Sequence, residues 1–177
     1  MKLQFNKKIA HIFLLFTSLI ALFPSMAHAW WSEDWAYRKK IILNTTASGA
    51  DIKEDLSSVP VLVRLHTGNF DFLSAKDDGA DLRFVSGDDT TPLKYHIEKY
   101  DALNELAVIW VQVPKLTAVS DANTVWLYYG NDSASAADDP KGSYDVNQVA
   151  VDHFGGRGAP QDYTSHADKA TQSKAIS

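Results

Sequence analysis

The sequence predicts an all-β protein, an antiparallel β-sandwich of the jelly-roll kind, with a signal peptide before it and a disordered C-terminal tail after it. Three observations predict this. Six or more short segments alternate apolar and polar residues with period two and are rich in β-branched and aromatic residues. Turn chemistry separates them at Asp77-Asp78-Gly79, Ser86-Gly87-Asp88-Asp89 and Gly130-Asn131-Asp132. No long amphipathic helix lies between them, which leaves a sandwich or jelly roll.

The first element is a leader. Lys2, Lys7 and Lys8 precede an almost wholly apolar run from Ile9 to Phe23, then Pro24-Ser25 and Ala27-His28-Ala29. Basic start, apolar middle and small residues at the two positions a signal peptidase reads make a secretory signal, with cleavage expected between Ala29 and Trp30. The run is short for a bilayer span, which takes about 20 residues. The mature protein is therefore expected in the periplasm or outside the cell, with no transmembrane segment left after cleavage.

The strands follow. Tyr37–Leu43 sets Tyr37, Lys39, Ile41 and Leu43 on one face, and Val59–Leu65 sets Val59, Val61, Val63 and Leu65 together. A single helical turn falls in Phe70–Lys76. Leu82–Val85 is a short strand. Leu93–Tyr100 alternates Leu93, Tyr95 and Ile97 against Lys94, His96, Glu98 and Tyr100. Glu105–Val113 reads as buried on both faces and is ended by Pro114, which cannot donate to a ladder. Thr124–Tyr129 is rich in Val, Trp and Tyr. Trp110 and Trp126, mid-strand among aliphatics, are expected in the core. The domain is expected over residues 30–139. Residues 140–177 read as a linker and a mostly disordered start of something new, with a strand at Val149–Phe154, because that stretch holds too few large apolar residues to offset its ordering entropy.

Composition narrows the function. Of the 17 Lys and Arg, three lie in the leader, which has no acid, so all 22 Asp and Glu stay with the mature part, making it more acidic than the whole-chain charge of −5. An acidic surface argues against nucleic acid and anionic membrane as partners. There is no Cys, which excludes disulfides, Cys-built zinc sites and Cys nucleophiles. No G-x-S-x-G and no phosphate-binding glycine pattern is found.

Five segments together resemble a known family. They are Trp35-Ala36-Tyr37-Arg38-Lys39-Lys40-Ile41, Ala80-Asp81-Leu82-Arg83-Phe84-Val85, Tyr95-His96-Ile97-Glu98, Val108-Ile109-Trp110-Val111-Gln112-Val113-Pro114 and Val125-Trp126-Leu127-Tyr128-Tyr129-Gly130-Asn131. In this order they resemble DUF2341, a domain of unknown function in secreted bacterial and archaeal proteins, over Trp35–Asp139. The resemblance implies a β-sandwich of unassigned activity, often followed by a laminin-G or concanavalin-A-like domain and in some members joined to a proton-channel subunit of the TolQ, ExbB and MotA kind. Val149–Phe154 resembles the first strand of that following domain. The chain stops soon after it, so the resemblance implies a truncated product.

Four sets of residues could carry chemistry. His96 and Glu98, two apart on one strand face, could share a proton or a metal; against this, Glu98 is expected to pair with Arg83, or else Arg38, as a half-buried carboxylate requires. Asp77, Asp78 and Asp81 bunch around Gly79 and are Ca²⁺ candidates, with Asp88 and Asp89 a lesser version; no other cofactor is indicated. Trp30 and Trp31 are candidate ligand-binding rings, for carbohydrate or an envelope protein, or else packing residues. Trp35 reads as core. No catalytic residue is assigned. The reading is a non-catalytic secreted or periplasmic module for binding or spacing. The alternatives are a glycan hydrolase or lyase using Glu98 and an Asp, and a truncated fragment of a longer channel-associated envelope protein.

Overall fold

The computed structural model describes residues 30–144, 147–148, 150–153 and 161–166. The leader up to Ala29, the start of the strand expected at 149 and the rest of the C-terminal stretch lie outside the described residues. Among the described residues seven strands form: β1 (Tyr37–Leu43), β2 (Leu56–His66), β3 (Arg83–Ser86), β4 (Pro92–Leu93), β5 (Tyr95–Asp101), β6 (Leu106–Leu116) and β7 (Asn123–Tyr129). One 3-10 turn, Phe72–Ser74, is capped by Asp71, whose side chain accepts from the Leu73 amide. The strands make two antiparallel sheets, ordered β1-β7-β3-β4 and β2-β6-β5. They are called here the β7 sheet and the β6 sheet after their central strands. Among the described residues, no helix is long and apolar enough to cross a membrane.

The core lies between the sheets. Val63, Leu65, Tyr95, Ile109, Val111 and Val113 come from the β6 sheet, and Leu82, Phe84, Val125 and Leu127 from β3, its approach and β7. Val59, Val61, Val63 and Leu65 all face it, as the period-two pattern of β2 requires. Phe70, Phe72 and Tyr100 close one end, with ring centroids 4.9 and 5.6 Å apart along the series.

Four sequence expectations need correction. The segment Leu93–Tyr100 is not one strand. It breaks at Lys94, so that Leu93 pairs with Phe84 in one sheet while Tyr95 pairs with Val111 in the other. The turn after β3 therefore closes only a two-residue hairpin, and β3 and β5 lie in different layers. Pro114 does not end β6, which runs to Leu116. The Gln112 amide donates to the Lys94 carbonyl, so by alternation Pro114 faces the same side, past the end of β5, where no donor is called for. Trp110 and Trp126 are not core residues. Ile109 and Val111, and Val125 and Leu127, take the inward parity, and the two indoles stand half-buried on the outer faces. Finally, Glu98 meets neither Arg83 nor Arg38; its partners are described below.

Candidate functional site

The outer face of the β6 sheet carries a row of cross-strand neighbours, Leu62, Trp110 and His96. Next to it the β5–β6 register slips by one residue at Glu98. A bulge leaves its extra residue outside the ladder and re-aims its side chain. The Glu98 carboxylate accordingly reaches back across the sheet, where Oε2 accepts the Trp110 indole N–H at 2.7 Å.

Chain from beyond β7 covers this row. The Asp139 amide donates to the Tyr95 carbonyl at 2.8 Å, and the Asp139 carboxylate pairs with Lys94 at 3.1 Å. Gly142 sits tight against that pair, since an added Cβ would lie 2.1 Å from Asp139 Oδ2 and 2.4 Å from Lys94 Nζ. Ser143 Oγ donates to the Asp139 carbonyl, and Tyr144 then turns inward. Further on, Asp152 bridges to Asp162, with the Tyr163 amide donating to the Val151 carbonyl. The Asp162 carboxylate accepts from the Val151 and Thr164 amides and from Thr164 Oγ1. Asp162 and Thr164 are buried. We call the described residues 139–144, 150–153 and 161–166 the strap.

Sheet and strap meet in a polar relay. His153 Nδ1 lies 3.1 Å from Glu98 Oε2. The Tyr144 hydroxyl lies 3.0 Å from His153 Nε2 and 2.9 Å from His96 Nδ1. The Tyr163 ring covers both imidazoles, with centroids at 4.5 and 5.1 Å. His96 is 3% exposed and Tyr144 5%; the His153 and Glu98 side chains keep 11% and 30%. Burial, then the neighbouring His153, lowers the pKa of His96 from its ordinary value. Burial, then Glu98 and Tyr163, raises that of Tyr144.

Hydroxyl, imidazole and carboxylate in this order are the arrangement that activates a nucleophile. Here the hydroxyl is buried, engaged by two imidazoles and held in its neutral form, none of which suits attack on a substrate. A cavity of about 380 Å³ adjoins the strap, lined by Asp138–Lys141 and Gln161–Tyr163, and neither Tyr144, His153 nor Glu98 lines it. Among the described residues no group of three or more His, Asp or Glu is placed to hold a metal ion.

The structure thus brings His96 and Glu98 to one cluster, as their spacing suggested. It does not gather the acidic turn. Asp81 is fully buried, and its carboxylate accepts from the backbone amides of Lys76, Gly130 and Asn131 at 3.0, 2.6 and 3.3 Å. Asp78 accepts from the Ala80 amide within its own turn. Asp77 lines an open cavity of about 710 Å³ at the end of the sandwich with Leu73 and Leu103. Arg83 ties the β3 approach to the chain after β7, donating to the Ala80, Leu82 and Ser135 carbonyls.

At the N-terminus, Trp35 is core, with its indole N–H donating to the Asp81 carbonyl at 2.7 Å. Trp31 packs on Trp35 and Tyr128, and Trp30, 36% exposed, meets Tyr128 edge-on. Arg38 lies between Trp30 and Trp126, 5.0 and 4.4 Å from their centroids, and pairs with Asp89. Sequence reasoning missed Tyr144, His153 and Tyr163. They sit in a stretch without periodicity, and the only signal was that a His and a Tyr stand out there among small and polar residues.

No curated protein and no solved structure gives a match to the chain. Of the residues that carry the family resemblance, Trp35, Asp81, Arg83, Gly130 and Asn131 meet at one end of the β7 sheet. Gly130 there has φ +85, and an added Cβ would lie 2.5 Å from the Tyr37 ring. Residues 78–157, which hold β3 to β7 and the start of the strap, match the family model of DUF2341, a domain of unknown function.

Proposed function

We propose that the mature chain is a non-catalytic β-sandwich module of the periplasm or cell exterior that serves as a binding or spacer domain, with a glycan or an envelope protein as its partner. One observation carries this reading: the His–Tyr–Glu relay spends its hydrogen bonds inside the protein. The bonds among His96, Tyr144, His153, Glu98 and Trp110 run between sheet and strap or within the sheet, so the constellation ties two parts of the chain together. A surface that a partner could reach lies at the margin of the N-terminal cover on the outer side of the β7 sheet. There Trp30 and Ile42, 36% and 58% exposed, stand near Lys40, whose Nζ lies 5.9 Å from the Trp126 centroid.

The test is co-sedimentation of the mature protein with insoluble peptidoglycan and plant or fungal polysaccharide, run alongside an assay for released reducing ends or unsaturated products. Binding without turnover, weakened in Trp30→Ala, is expected for a glycan partner. Retention by envelope protein extract without turnover, equally weakened, is expected for a protein partner. Product release that disappears in Glu98→Gln would replace this reading with a glycan-active enzyme.

A further inference from the structure

The relay between strap and sheet has a fixed capacity for protons. In its neutral state one arrangement serves every contact of the relay. His96 Nδ1–H donates to the Tyr144 oxygen, Tyr144 O–H donates to His153 Nε2, and His153 Nδ1–H donates to Glu98, which also receives the Trp110 N–H. A first proton is accommodated on His153 beside the Glu98 carboxylate by reversing the chain. His153 Nε2–H then donates to Tyr144, and Tyr144 donates to a neutral His96 whose proton has moved to Nε2. A second proton has no such solution. Both imidazoles then point N–H groups at one phenol oxygen, the phenol proton has no acceptor, and two cations stand with ring centroids 5.2 Å apart in a site where His96 is almost wholly buried.

We propose that this relay is a proton-operated latch: the strap is closed on the β6 sheet with no proton or one proton on the His96–His153 pair, and the second proton releases it while the sandwich stays folded. The strap can leave alone because its attachments are local. Among the described residues they include the relay, the ring contacts of Tyr163 with His96 and of Trp110 with His153, the Lys94–Asp139 pair and the Asp139–Tyr95 backbone bond, and the buried core residues between the sheets are not drawn from the strap.

The groups facing His96 agree with this. The strap presents Tyr144, His153 and Tyr163. The chain after β7 brings Asp138, and β5 itself Glu98, whose negative charges oppose the fall in pKa without overcoming burial and His153. From the sheet, Trp110 beside His96 and Leu62 beyond it do not titrate. The basic side chains of Arg64 and Lys99, both paired with Val108, lie one row away. Falling pH therefore works against the closed strap below about 6.5, the ordinary imidazole value.

The experiment is hydrogen exchange on the full mature chain at pH 8, 7, 6 and 5, corrected for intrinsic rates, with the ring protons of His96 and His153 titrated by NMR in the same buffers. Protection of the Asp139, Val151 and Tyr163 amides is expected to fall by roughly tenfold or more between pH 7 and 5 while β6 and β7 amides hold. The midpoint should coincide with titration of His96. His96→Asn keeps an amide N–H near the Nδ1 position and does not titrate, so its strap should stay protected at pH 5. The latch is overturned by strap protection that is unchanged at pH 5, by strap and sheets opening together, or by the same loss in His96→Asn. Should that variant not fold, the wild-type data decide, because strap release at a pH where His96 is still neutral overturns the proposal equally.

Discussion

On the outer face of the β7 sheet, Trp126 lies 4.4 Å beneath the Arg38 guanidinium, under the N-terminal Trp30, Trp31 and Trp35. On the outer face of the β6 sheet, Trp110 lies beside His96 and Glu98, under Tyr144, His153 and Tyr163. Both central strands carry an outward indole, and chain from outside the sheets covers each. In both covers a tyrosine hydroxyl is the junction. Tyr128 donates to Asp89 at 2.6 Å and takes the Trp31 amide at 2.9 Å, while Tyr144 joins His96 and His153. The difference is in the cations. Arginine keeps its charge at any pH a protein survives, whereas imidazole changes charge near neutrality. One cover is thus fixed, and the other can respond to its surroundings.

The comparison is most easily broken at Trp35. It belongs to the fixed cover but also reaches Asp81, which fastens Lys76, Gly130 and Asn131. Trp35→Ala is expected to lower the free energy of urea unfolding by about 3–5 kcal/mol. A loss under about 1 kcal/mol would mean that the N-terminal cover is not part of the folded domain.

Arg38→Met should cost less, about 1–2 kcal/mol, since it removes a partly exposed ion pair and two cation–π contacts but leaves Asp89 bonded to Tyr128. This loss is expected to be the same at pH 5 and pH 8. Dependence on pH in that range would erase the contrast between the two covers.

Tyr144→Phe should change global stability by about 1 kcal/mol or less at neutral pH while loosening the strap in hydrogen exchange. It also sharpens the contrast in alkali. Burial raises the Tyr144 pKa in the folded protein. The associated stability is present in full below the unfolded tyrosine value near 10 and is lost as pH rises through the folded value. The mutant should therefore lose less stability than wild type on going from pH 9 to pH 11. In acid the sign is opposite for His96, whose folded pKa is lowered. Its contribution is complete above about 6.5 and is lost as pH falls.

The smallest effect is a null. A double-mutant cycle of Glu98→Gln with Arg83→Met should give a coupling of about zero, because the two residues belong to different layers. The same cycle with His153→Asn in place of Arg83 should give a measurable coupling. Reversal of these two results would mean that β3 and β5 pair after all.

What the sequence determined by itself is whatever the backbone decides over a few residues. Period two located β1 to the residue and the inward face of β2, since successive side chains of a strand must point to opposite sides. The two-residue spacing of His96 and Glu98 suggested one cluster, while the register slip at Glu98 set how its carboxylate is aimed. Tertiary structure alone decided the rest. In β6 both alternating sets are apolar, Ala107, Ile109 and Val111 against Val108 and Trp110, so periodicity could not say which set faces the core. The turn between Ser86 and Thr91 looks the same locally whether the chain pairs back or crosses to the other layer at Lys94. Glu98 found its partner 55 residues downstream, in a stretch whose composition gives no pattern, because a buried or half-buried polar group is satisfied by whatever the fold brings within hydrogen-bond reach and not by its neighbours in sequence.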